Sequence, residues 1–380
     1  MLNYEILRLI WWLLLGTLLI GFAIMDGFDL GAAILLPFVA RTDKERRVVL
    51  NAIGPVWEGN QVWLILGAGA IFAAWPMLYA VAFSGFYLAM FLALAALILR
   101  PVSFKFRSEI ENPVWRTFWD FALFISGVVP ALIFGVAVGN ALRGVPFRFD
   151  GALRMTYEGD LLGLLNPFAL LCGLVSCAML IMHGGTYLAL KTDQPVADRA
   201  AGWARSAALI LLALFIAGGV YAKFGVEGYR ITSDLQHDGP SNPLLKTVER
   251  GGGLLLSNFA AHPWMLLAPA LVFIGALSAW LLLASRRRGW LAFIASATAL
   301  LGVIGTAGLS AFPFLLSSSL DPNASLTVWD SSSSRTTLLI MLTVVVVLLP
   351  IVLAYTAFVF RVLRGRVTIA YIEDNSASLY

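Results

Sequence analysis

Asp26 and Asp29 stand three residues apart in GFAIMDGFDLGAA, a stretch otherwise fit to cross a membrane. A carboxylate at membrane depth costs at least ~2.5–3.5 kcal/mol on insertion scales, so it points to a function or to a buried partner. At i and i+3 the two acids share one helix face. Glu58 lies on the next apolar run, in PVWEGNQVW, beside Trp57, Asn60, Gln61 and Trp63. Of 22 acidic residues, these three alone fall well inside the apolar segments. Such a cluster suits proton transfer, because a carboxylate in a medium of low dielectric can exchange protons near neutral pH while amides or waters bridge the gaps. The same residues also suit a structural role, as neutral acids or as partners of Arg100 that lock helices together. For Asp26 and Asp29 both readings stand open. For Glu58 proton handling is favoured, and Asp120 reads as a structural partner of Arg100 or Arg116.

The elements that must position these groups follow from composition. Of 380 residues, 60% are hydrophobic and only 13% charged, against about a quarter charged in soluble domains. Uncharged apolar runs of about 18 residues or more can each cross ~30 Å of hydrocarbon as a helix. The pattern predicts an all-α integral membrane protein, one polytopic domain over 1–380, with nine transmembrane helices near 8–40, 50–75, 77–100, 115–141, 161–190, 203–223, 262–285, 288–316 and 336–363. Two four-helix bundles plus one extra span fit this length. The N-terminus carries no basic n-region and no A-x-A cleavage site, so the first span is expected to be retained. Seventeen of the 26 Lys and Arg residues fall in the inner loops and tail if the N-terminus is periplasmic and the C-terminus cytoplasmic, the orientation that the positive-inside rule favours. Counting inward from Arg41 and Arg47 places Asp29 and Glu58 at similar depth, ~16–18 Å from the inner basic loop. The longer outer loops, 142–160, 224–261 and 317–335, carry Gly, Pro, Ser and Asn punctuation expected of ordered loops.

Several classes are disfavoured. The net charge of +4 is spread over short loops, which does not point to nucleic acid, and no GxxxxGK[ST] phosphate loop occurs. Cys172 and Cys177, five apart on a helix, point to different faces and read as buried apolar residues rather than a disulfide or metal clip. Of three histidines, His237 lies in an outer loop and His262 at the mouth of the seventh span, leaving His183 alone inside a span. A bis-histidine haem needs two imidazoles facing each other across helices, so redox centres are expected elsewhere, and His183 reads as a packed or interfacial side chain. A proton-coupled secondary transporter is the competing reading, since polar clusters at mid-depth also mark transporters. Those usually show broken helices in two matching halves, and no internal repeat is evident here.

The strings GFAIMDGFDLG, WEGNQVWLI, FAAWP, FSGFYLAM, RPVSF, GVPF, LNPF, NASLTVWDSSSS and the terminal SASLY, taken in order along the whole chain, closely resemble subunit II of cytochrome bd-type quinol oxidases. The resemblance implies a bacterial inner-membrane terminal oxidase, electrogenic without pumping, that oxidises quinol and reduces O2 to water. It implies two b haems and a haem d, or a b-type variant, held by a partner subunit I in an obligate heterodimer. Small single-span accessory subunits and, in some members, a structural quinone within subunit II are further family features. Carried onto this sequence, Glu58 matches an acidic position on a proton route from the cytoplasm, where Asp is the more familiar residue. Tyr380 resembles a terminal tyrosine lining the same entrance, and Trp63 a residue beside a lateral opening for O2. Trp57, Asp26, Asp29, Arg100 and Asp120 match positions whose roles look more architectural.

Overall fold

A computed structural model describes residues 3–285 and 289–374 of the chain. Fourteen α-helices carry the described fold. In chain order they begin with α1 (Tyr4–Val39), α2 (Asp43–Ile53), α3 (Trp57–Ala74), α4 (Pro76–Gly85), α5 (Tyr87–Phe106) and α6 (Pro113–Arg143). After the single turn α7 (Leu161–Leu164) come α8 (Pro167–Lys191), α9 (Val196–Phe224) and the short α10 (Ser257–Ala261). The chain closes with α11 (Leu267–Ala284), α12 (Gly289–Ala311), α13 (Arg335–Val362) and α14 (Ile369–Asp374).

Among the described residues, eight helices are long and apolar enough to cross a membrane: α1, α5, α6, α8, α9, α11 with its 3-10 entry, α12 and α13. The expected second span, 50–75, is divided. Thr42 and Glu45 form a reciprocal capping box that starts α2, and Gly54, Pro55 and Val56 interrupt the chain before α3 begins at Trp57. Pro55 cannot continue a helix without losing a backbone hydrogen bond. α3 has 18 residues, but its first turn carries Glu58, Asn60 and Gln61, which keeps it outside the eight. The expected third span is likewise divided at Phe86 into α4 and α5. The fifth begins at Pro167 rather than at 161, because Asn166 caps the helix and Pro167 occupies its first position, the usual pairing at a helix start.

α1 is central: it packs against α3, α6, α8 and α12 and touches α9 and α13. α5 packs on α6, α6 on α8, α8 on α9 and α12, and α11 on both α9 and α12. With lipid as solvent, small residues let such helices approach closely. A Cβ on Gly31 would stand 1.9 Å from the Leu180 carbonyl oxygen, and one on Gly184 would stand 2.4 Å from the Gly31 carbonyl carbon. The α11–α12 contact is similar, where a Cβ on Gly275 would meet the Ala299 nitrogen at 2.5 Å.

The two ends of the bundle differ. At one end, three antiparallel hairpins replace what the sequence reads only as ordered loops: β1 (Phe147–Phe149) with β2 (Met155–Tyr157), β3 (Glu227–Ile231) with β4 (Val248–Gly252), and β5 (Phe314–Leu316) with β6 (Leu326–Thr327). Buried charges tie this hairpin end together. Lys246 meets Asp330 at 2.7 Å, and Arg8 donates to the His237 and Gly239 carbonyls and to Ser332 and Ser241. The opposite, basic end carries α2 and α14, which pack together and share a Lys44–Glu373 ion pair.

The backbone contact at Gly31 yields a direct test. Gly31→Ala should push α1 and α8 apart at about 1–3 kcal/mol, read as a lowered thermal midpoint and yield of the assembled protein. Gly16→Ala, where nothing lies within 4 Å, should leave both unchanged.

Candidate functional site

Three helices, α1, α3 and α5, bring the polar candidates together. On α1, Asp26 and Asp29 are both fully buried. Arg100, one residue before Pro101 in α5, is also fully buried and donates from Nη1 to Asp26 Oδ1 at 2.5 Å. Asn60, in the first turns of α3, donates from Nδ2 to Asp29 Oδ2 at 2.8 Å. Asp26 Oδ2, Asp29 Oδ1 and Arg100 Nε and Nη2 have no hydrogen-bond partner among the described residues. The cluster therefore combines one ion pair, one amide-bound carboxylate and several buried polar atoms able to bind further groups.

Glu58 does not join this buried cluster, although the sequence groups it with Asp26 and Asp29. It is exposed on the surface of the chain, whereas Asn60 is 2% exposed. Two residues on an α-helix are ~200° apart around the axis, so Glu58 and Asn60 face opposite ways. The break at 54–56 removes the continuous helix on which the count from Arg47 depends, yet the Asn60–Asp29 hydrogen bond still sets the start of α3 beside Asp29.

A second wall lies across α1 from these acids. His183 on α8 is fully buried. Its Nε2 lies 2.9 Å from the Ile24 carbonyl and its Nδ1 lies 2.8 Å from Ser296 Oγ. The carbonyl can only accept, so Nε2 donates to it and Nδ1 accepts from Ser296. His183 stacks on Phe293 with ring centroids 4.6 Å apart. Tyr187 stacks on Phe28 at 3.9 Å and donates to the Ala52 carbonyl at 2.8 Å. His183 is thus the packed side chain that the sequence suggests, with both ring nitrogens engaged within the protein.

Trp57 is 9% exposed and stacks on Phe104 at 5.8 Å. Trp63 is equally buried, its ring set so close to α1 that a Cβ on Gly21 would come within 2.5 Å of it. Tyr380 lies outside the described residues.

Asp120 has different partners from those expected. Arg46 Nη1 reaches its Oδ2 at 2.7 Å, and Arg107 Nε reaches its Oδ1 at 2.6 Å. Arg116 pairs with Asp43 at 3.0 Å instead, and Arg100 is already committed to Asp26. The reason is α2, which carries Asp43 and Arg46 to the start of α6, while Arg107 sits at the end of α5 just across the turn from Asp120. Burial alone would lower the Arg107 pKa, but hydrogen bonds and charge from Asp120 and Asp43 hold it above its ordinary value. On the same helix, Glu45 accepts from the Arg41 and Thr42 nitrogens and pairs with Arg199 at 2.8 Å. Burial pushes the Glu45 carboxyl up, yet these partners together hold it below the ordinary carboxylate range. The sequence signal for this missed network is the T-x-x-E capping box at Thr42 and Glu45.

The chain matches, over residues 7–363, the family described as cytochrome bd terminal oxidase subunit II. It belongs to that family. Relatives include cytochrome bd-I ubiquinol oxidase subunit 2 of Escherichia coli K12, 49% identical over 380 residues that cover 100% of both chains. A probable cytochrome oxidase subunit 2 of Haemophilus influenzae is 47% identical, again over the whole of both chains. The cytochrome bd ubiquinol oxidase subunit 2 of Bacillus subtilis is 29% identical over 94% of this chain and 96% of the relative. The structure of bd oxidase from Geobacillus thermodenitrificans shares the fold, with a TM-score of 0.69 at 18% identity, covering 94% of this chain and 98% of that one. Membership of the bd oxidase subunit II family leaves the secondary-transporter reading without support. The family implies haem in the complex. Within this subunit II the buried imidazole does not fit an axial ligand, because Ile24 and Ser296 occupy both of its nitrogens.

Two measurements check these contacts. Removing one member of a buried ion pair costs about 3–5 kcal/mol, chiefly through the charge left behind. Asp26→Asn should therefore destabilise the assembled protein by about that much, and adding Arg100→Gln should restore a good part of it. Strictly additive losses would contradict the pairing. For Glu45, a depressed folded pKa means stabilisation that is present above the ordinary carboxylate range and lost as pH falls through the folded value. The wild type should exceed Glu45→Gln in stability by about 1 kcal/mol near neutral pH. That margin should shrink steadily as pH drops below about 4.3.

Proposed function

We propose that this chain is the haem-free subunit II of a bacterial quinol:O2 oxidoreductase of the cytochrome bd type, electrogenic and placed in the inner membrane. A partner subunit I holds the haems, oxidises quinol and reduces O2 to water, while this chain supports proton uptake from the cytoplasm. Full-length identity to the bd-I ubiquinol oxidase subunit 2 supports the assignment to this enzyme. The eight long helices with α3, which packs along α1, make nine spans in this reading. α3 would rise ~27 Å, close to the hydrocarbon thickness. With α2 and α14 on the cytoplasmic face, the basic end obeys the positive-inside rule.

One observation carries the proton assignment: Glu58 is exposed on its own chain while Asp26, Asp29 and Asn60 are sealed inside it. A carboxylate turned toward lipid would cost ~2.5–3.5 kcal/mol, so Glu58 faces the partner subunit. There it takes protons that arrive along the subunit boundary and passes them inward to the partner's centre. Asp29 and Asn60 act behind it as architecture for α3. The family resemblance assigns Tyr380 to the same entrance, and Trp63, packed against Gly21, borders the route by which O2 enters from the bilayer.

In the purified complex, Glu58→Gln should slow quinol oxidase turnover while leaving the haem spectrum intact, and Glu58→Asp should keep near-normal turnover. Full activity of Glu58→Gln would return Glu58 to an architectural role. The isolated chain should give no reduced-minus-oxidised haem signal.

A further inference from the structure

We infer that the surface where α9 meets α11, at the basic end of the bundle, binds the phosphate headgroup of an anionic phospholipid through Arg205. Arg205 stands on α9 nine residues after its start at Val196, so it lies ~14 Å along the helix. An arginine within a membrane-spanning helix is expensive unless its charge is met by a counter-charge or by the interface. Here no carboxylate meets it: among the described residues Arg205 forms no ion pair and no hydrogen bond, and its Nε is buried without a partner. Arg199, six residues nearer the helix start, shows the alternative, being paired with Glu45.

The guanidinium is nevertheless held in place. Its central carbon lies 5.1 Å from the ring centre of Trp280, on α11. A cation seated on an aromatic ring keeps the forked N–H groups at its edge, the geometry that grips phosphate oxygens in two parallel hydrogen bonds. Indoles mark the level of the membrane interface, where their apolar body and polar N–H are both satisfied. Trp203, 43% exposed on α9, and Trp290, 58% exposed at the start of α12, stand at this same end. Toward the middle of the bundle, Leu209 on α9 and Leu277 and Ile274 on α11 are exposed and apolar. The surface thus offers a positive group held by an indole at headgroup level, with an oily flank below it. A phosphodiester carrying acyl chains matches both parts, whereas a free phosphate ion matches only the first. Binding a lipid here clamps α9 to α11.

The test uses the complete oxidase complex, purified in a mild detergent and titrated with mixed micelles containing phosphatidylglycerol or phosphatidylcholine. Phosphatidylglycerol should raise the thermal midpoint of the wild type at roughly tenfold lower concentration than phosphatidylcholine. Arg205→Gln should abolish that preference, and lipid extraction with mass spectrometry should find about one fewer retained anionic lipid per complex. Arg205→Lys, which keeps the charge but loses the fork, should retain part of the preference. Equal protection by the two lipids, or an unchanged lipid count in Arg205→Gln, would overturn the proposal. Protection of the same size by millimolar inorganic phosphate would overturn it as well. Should Arg205→Gln fail to assemble, the lipid preference of the wild type against Arg205→Lys decides the matter.

Discussion

The Asp26–Arg100 ion pair governs the arrangement of the whole first half of the molecule. A membrane offers no water to solvate either charge, so each is tolerated only while the other stays in contact. That requirement fixes α5 against α1 at one height and one rotation. Asn60 adds a second tie from α3 to Asp29 on the same helix face. Three helices are thereby registered by polar contacts, while apolar side chains and close backbone approaches fill the rest of the interface. On the far side of α1, His183 holds α8 and α12 to the same helix through Ile24 and Ser296. α1 is accordingly the axle of the subunit, with polar anchors on two opposite faces.

Charge is managed differently outside the apolar layer. At the basic end, Arg46, Arg107 and Arg116 share Asp43 and Asp120. No member stands alone there, and partial exposure lets water assist. At the hairpin end, Arg8 instead binds backbone carbonyls and hydroxyls and lies 3.6 Å from the centre of the Tyr4 ring. The same residue type thus meets three environments in three ways: a single carboxylate in the core, a shared network at one face, and neutral acceptors at the other.

Much of this was legible in the residues themselves. The apolar run lengths located the long helices, and the cost of intramembrane charge singled out Asp26, Asp29 and Glu58, with Arg100 named as a partner for the buried acids. The ordered motifs pointed to the correct family. Other features were hidden for physical reasons. Hydropathy treats 50–75 as continuous because α2 ends in Val, Leu and Ile, and only Pro55 betrays the break. The orientation of Glu58 depends on where α3 starts, since a shift of two residues turns a side chain to the opposite face. The partners of Asp120 depend on α2 folding beneath the bundle, a long-range event with no periodic signature. The hairpins were concealed by short strands that carry little pattern of their own.

The crossing of α1 and α8 has one more consequence. Where Gly31 and Gly184 meet, main chain rests on main chain with no side chain between to yield. Neither helix can roll or slide there without its carbonyls colliding, and this stop lies only two residues from Asp29. Any rearrangement of the nearby acids during turnover has to come from bond rotations within the side chains or from mobile solvent. The rod that bears them stays still.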